Sequence, residues 1–115
     1  MAARGDIVLA RFPFTDGSGA KLRPVLILAP VPGPYDDFIV MFISSQASYA
    51  VPGVDVILDR SNPAFAGSGL KMASAFRVGK VASLSAGLIV GPLGALHSSV
   101  FDDLVTRLVR LLQSR

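Results

Sequence analysis

The chain has no cysteine, no glutamate and a single histidine among its 115 residues. Without thiols it can form no disulfide, no zinc-thiolate site and no cysteine nucleophile, and redox chemistry leaves the compartment open. All eight acidic residues are aspartates, which excludes any general-base scheme built on glutamate. The pairs Asp36-Asp37 and Asp102-Asp103 have no histidine at ligand spacing, so no metal site or cofactor is expected. His97 precedes a helix-like run, where capping or packing is its ordinary use. Charge is sparse too: 17% of residues are charged and 51% hydrophobic, which excludes extensive disorder. The formal charge of +3 is a mild basic bias, compatible with an anionic partner.

Long apolar runs are also missing. "MAARGDIVLARF" contains no signal-peptide core. The longest uncharged stretch, "VASLSAGLIVGPLGALHSSVF", covers 21 residues (81–101) but is broken by Gly87, Gly91, Pro92, Gly94, four serines and His97. A membrane span needs a predominantly apolar helix of about 20 residues. This stretch reads instead as strand, turn, strand and helix start, and no membrane contact is expected. "GSG" occurs at 17–19 and at 67–69 without the lysine and spacing of a phosphate-binding loop.

What is present is a series of short strands. β-Branched and aromatic residues mark "GDIVLARFPF" (5–14), "LRPVLILAP" (22–30), "FIVMFISSQ" (38–46) and "VDVILDR" (54–60). "KMASAFRVGKVASL" (71–84) predicts one or two strands and "LIVGPL" (88–93) another. Pro24 should lie near the start of its strand, because proline cannot donate to a ladder. "FIVMFI" is apolar on both alternating faces, as in a strand buried on two sides. "SNPAFAGSG" (61–69) has the least regular pattern and predicts a mobile loop. Phe101, Leu104, Val105, Leu108, Leu111 and Leu112 have the three-and-four spacing of one buried helix face. Ser99 and Asp102 resemble a capping box, with Asp102-Asp103 in the first turn. About six strands and one C-terminal amphipathic helix predict a mainly β fold, a small curved barrel with the helix packed on it. Residues 1–115 form one domain without repeats or linkers.

Two places could carry chemistry. Arg23 precedes Pro24, and residues before proline are pushed into extended conformations, so its guanidinium should project from a strand entrance with little freedom. Such a donor fork suits phosphate. "FISSQ" (42–46) ends an apolar strand in Ser44, Ser45 and Gln46, two hydroxyls and an amide.

"RGDIVLARFPFTDGSGAKLRPVLIL" (4–28) resembles the opening of PemK/MazF-family toxins of type II toxin–antitoxin systems. The likeness continues at "FISSQ", in "LKMASAFRVGKVASL" (70–84) and in the C-terminal helix. The resemblance implies an SH3-like barrel of the CcdB/MazF type, a homodimer, and a metal-independent, cytoplasmic bacterial endoribonuclease. Its substrate would be single-stranded RNA cut at short sequences, and its partner a cognate antitoxin; DNA would be met only through the antitoxin complex. The family's catalytic arginine and hydroxyl carry over to Arg23 and Ser44. Asp16, Lys21, Ser45, Gln46, Arg77 and Lys80 become candidate RNA contacts, with Phe14 for stacking. Gly79 departs from the family, which commonly has an acid there; a weakly active RNA-binding member is one alternative. A non-catalytic toxin on the same barrel, of the gyrase-inhibitor type, is the other.

Overall fold

Alternating apolar residues on both sides of the central strands demand cover for two sheet faces. In the computed structural model, which describes residues 2–13 and 20–114, six strands form: β1 (Asp6–Pro13), β2 (Ala20–Pro30), β3 (Asp37–Ser44), β4 (Val56–Leu58), β5 (Ser74–Ser85) and β6 (Ile89–Ala95). They make one antiparallel sheet in the order β4-β5-β3-β2-β1-β6. Ile7, Leu26, Met41, Ile43, Phe76 and Val78 face the larger core, and Val8, Ala10, Val25, Ile27, Val40 and Leu84 face the smaller one. "FIVMFI" is indeed buried on two sides, with Phe38 and Val40 in one core and Met41 and Ile43 in the other.

The sheet curves because its ladders are interrupted. Register shifts occur between β1 and β6, between β2 and β3, and between β3 and β5. Extra residues on one strand bend it and increase its twist. The largest irregularity is on β5: Val81 pairs with Met41 and Phe76 with Ile43, so Arg77–Lys80 oppose Phe42 alone. Curvature brings the two edges toward each other. Leu58 of β4, Leu96 after β6 and Phe65 of a short helix, α1 (Phe65–Ser68), meet in the same core.

Helix α2 (Ser98–Gln113) closes that core with Leu104, which is fully buried, and with Val100, Phe101 and Leu108. The expected apolar face is therefore covered only in its first half. Val105, Leu111 and Leu112 are exposed, as is Val109 beside them. The cap also differs from the sequence expectation. His97 is the N-cap, its Nδ1 accepting from the Ser99 backbone N–H at 3.1 Å, so Ser99 lies inside the helix and Asp102-Asp103 fall beyond the first turn.

Two further segments differ from their expected form. The 54–60 strand is reduced to three residues, because the backbone N–H groups of Val54 and Asp55 both bond to the Val51 carbonyl in a tight turn. At its other end Asp59 accepts from Ser61, first from the hydroxyl and then from the backbone N–H. Those bonds hold its carboxyl below the usual value and turn the chain. The segment 61–69 is structured rather than loose. Asn62 Oδ1 accepts from the Ala64 N–H, and the fully buried Ser68 donates to the Phe65 carbonyl at 2.6 Å while accepting from the Leu70 N–H at 3.2 Å.

Candidate active site

The entrance of β2 is where the sheet opens. Its residues up to Pro24 pair with β1 only; pairing with β3 begins at Val25, opposite Phe42. Pro24 thus sits five residues into the strand rather than near its start. It is tolerated there because that stretch has a partner on one side only, and the missing N–H leaves the other ladder to end. Continuing the Val25–Phe42 register by two residues on each strand sets Arg23 across from Ser44, the last residue of β3. Alternation puts Arg23 on the same side as Val25, and Ser44 on the same side as Phe42.

A cavity of about 810 Å³ fills this opening. Arg23, Ser44, Ser45, Gln46, Arg77 and Lys80 all line it, together with Lys71 and Met72. Its floor is apolar, with Phe12 and Phe42 in tilted contact, ring centroids 5.0 Å apart. Four cations border the cavity and no aspartate does, among the described residues. Arg23 is exposed, and its guanidinium has no partner among the described residues. Ser44 is half-buried and its Oγ accepts from the Gln46 backbone N–H at 3.1 Å, which holds the hydroxyl at the strand's end. The arrangement is a positively charged cleft lined also by the hydroxyls of Ser44 and Ser45.

Of the residues singled out in the sequence, Lys21 lies farther out on β2, opposite Phe12, and does not line the cavity. Phe14 and Asp16 fall outside the described residues. Gly79 is not in the cleft wall either; a Cβ there would meet Leu111 of α2 at 3.7 Å. An acid at that position would lie over the helix.

A model of the family described as "PemK-like, MazF-like toxin of type II toxin-antitoxin system" matches residues 3–112. The chain belongs to the PemK/MazF toxin family. Among solved structures, an endoribonuclease in complex with its cognate antitoxin from a mycobacterial species is similar, with a TM-score of 0.67 and 16% identity, covering 100% of this chain and 98% of that one. The Mycobacterium tuberculosis toxin MazF-mt6 superposes with a TM-score of 0.64 at 22% identity, covering 92% and 93%. No curated protein matches by sequence. At such identities these structures share the fold: the small curved barrel with its C-terminal helix is that of MazF toxins.

Three residues that bear on the charge and shape of the cleft were not singled out as site residues from the sequence. Lys71 and Met72 reach it because α1 and the chain after it are pinned against β6: a Cβ on Gly69 would lie 2.0 Å from the Leu93 carbonyl oxygen, and one on Gly94 would lie 2.4 Å from that of Gly67. Gly69 also has φ +75°, a left-handed conformation that favours glycine. No local pattern marks that crossing. The third is Asp55, visible in the sequence as the acid interrupting an apolar strand. Its side chain is only 2% exposed, and it holds Arg77 through a 3.0 Å bond to Nε.

Proposed function

We propose that the chain is a metal-independent endoribonuclease toxin, and that the cleft between β2 and β3 cuts single-stranded RNA. The observation that carries this reading is that Arg23, without a partner among the described residues, and Ser44 line one cavity bordered by cations and by no aspartate among the described residues. The substrate's own 2′-hydroxyl is the nucleophile. Its oxygen bonds to phosphorus as the bond from phosphorus to the 5′-oxygen breaks, giving a 2′,3′-cyclic phosphate and a 5′-hydroxyl. The 2′-oxygen gives up one proton and the 5′-oxygen takes one up, so the balance needs neither water nor an oxidant. Arg23 stabilises charge on the phosphoryl oxygens through its donor fork, and Ser44 donates a hydrogen bond there. Lys71, Arg77 and Lys80 extend the positive surface for neighbouring phosphates, and Ser45 and Gln46 offer hydrogen bonds to base edges, which only single strands expose fully.

The partner that restrains this activity is an antitoxin with an acidic or extended segment that occupies the same cleft. A second copy of the chain covers the exposed end of α2. The working site is cytoplasmic, where mRNA is the available single strand.

The test is purified protein on a defined single-stranded RNA, with both cut ends chemically mapped. Cleavage with cyclic-phosphate and 5′-hydroxyl ends, unchanged by EDTA, is expected. Dependence on added magnesium, or binding without any cut, overturns the nuclease reading. A ternary complex, in which the antitoxin is bound and RNA affinity is undiminished, overturns the shared cleft.

A further inference from the structure

Asp55 is the most enclosed charged residue among the described residues and plays no part in the chemistry above. It sits at the end of the 51–55 turn, and three donors converge on it. Its Oδ2 accepts from Arg77 Nε at 3.0 Å and from the Val51 N–H at 2.9 Å; its Oδ1 accepts from the Val78 N–H at 2.9 Å. A carboxylate taken out of water is costly unless such partners surround it. Its own backbone is held from a different direction. Arg107 of α2 donates through Nη1 to the carbonyls of Asp55 at 3.2 Å and Val54 at 3.4 Å, while its Nε is anchored on Asp103 at 3.2 Å.

The consequence falls on Arg77. It lies in the bulged part of β5, where ladder bonds to β3 are interrupted and cannot orient the residue. A guanidinium is planar, so fixing Nε–H on one carboxylate fixes the plane of the other four N–H groups. Those groups have no acceptor among the described residues, and Arg77 is 23% exposed and lines the cleft. Asp55 is behind it, outside the lining. The geometry points to Asp55 as a positioning residue. It does not touch substrate, but presents Arg77 to the RNA phosphate beside the one held by Arg23. This assignment rests on the RNA reading of the cleft.

The experiment uses an RNA carrying 2′-deoxy at the scissile position, whose affinity is read by fluorescence anisotropy for wild type, Asp55→Asn, Arg77→Ala and the double variant. Asn keeps the size of the side chain but lacks the charge, and offers one acceptor oxygen where the carboxylate has two. Each single change should weaken RNA binding by about tenfold, the scale of a hydrogen bond to a charged group. The double variant should be no weaker than Arg77→Ala alone, whereas thermal stability should fall further in the double variant. Additive losses in RNA affinity would make Asp55 merely structural and overturn the assignment. In wild type, the Arg77 Nε–H proton resonance, identified by its loss in Arg77→Lys, should exchange slowly with water before and after RNA binds. Exchange as fast as that of exposed Arg110 overturns the assignment even if Asp55→Asn does not fold. Wild type that binds RNA and leaves it uncut removes the nuclease reading alone, with the coupling still readable from affinity.

Discussion

Arg23 stands where β2 has a neighbour on one side only: its backbone is paired with Ala10 of β1, and its guanidinium has no partner among the described residues. Because no described residue pairs with its side chain and it is exposed, removing it should cost the fold almost nothing. Arg23→Ala should therefore abolish RNA cleavage while leaving the thermal midpoint within about 2 degrees of wild type, the scale of a surface substitution. Arg23→Lys should be nearly as damaging, since an ammonium has no planar fork. A lysine variant with more than half of wild-type activity would reduce the role of Arg23 to simple charge. Ser44 presents a different balance, because its hydroxyl already accepts from Gln46 N–H and is thereby oriented. Arg77 is the opposite case to Arg23: the same side chain, restrained by a buried partner.

At the scale of elements, the crossing of α1 over β6 leaves less room for a Cβ than any other described glycine position. Gly94→Ala would push a methyl to 2.4 Å from a backbone oxygen, which no side-chain rotation relieves. A loss of about 2 kcal/mol in chemical unfolding is expected, the scale of overpacking. Gly91→Ala on the same strand, with nothing within 4 Å, is the control and should change stability little. Equal losses for both would mean that strand propensity, not contact, sets the cost. These elements were legible to different degrees. Alternation and β-branching marked all six strands and the double-sided β3, and the three-and-four spacing marked α2. What periodicity could not reach were places settled by side chains bonding to backbone. Asp55 and its turn shortened β4, Asn62 and Ser68 ordered a stretch that looked loose, and His97 took the cap in place of Ser99. In the site, Arg23 and the Ser44–Gln46 run carried local signals of their own. Asp55 carried half a signal, an acid in an apolar strand, but its partner lies 22 residues away on another strand. Lys71 and Met72 had none, since only the packing of two glycines on facing backbones brings them to the cleft.

For the whole molecule, the unbalanced feature is the helix. Val105 is 36% exposed, Val109 44% and Leu112 75%, a stripe on α2 beyond the part that the core covers. Ile39 is exposed and borders the same groove as Val105. A two-fold dimer would cover this stripe with its own copy, as isologous interfaces do. The protein should sediment as a dimer of its 12.0 kDa chain at micromolar concentration. Val109→Asp with Leu112→Asp should give a monomer whose secondary structure is intact, because neither residue is in the core. A wild-type monomer, or a dimer indifferent to both changes, would place the interface elsewhere.

The glycine crossing has a meaning for anyone wishing to change what the cleft reads. Gly69 and Gly94 leave no room for another atom between two backbones, so that wall is fixed like the jaw of a vice. The residues just after it, Leu70, Lys71 and Met72, line the cavity, and Met72 is 57% exposed. On the RNA reading of the cleft, Leu70 and Met72 are positions to vary, beside Ser45 and Gln46, for a change in the bases that flank the cut, with the two glycines left alone.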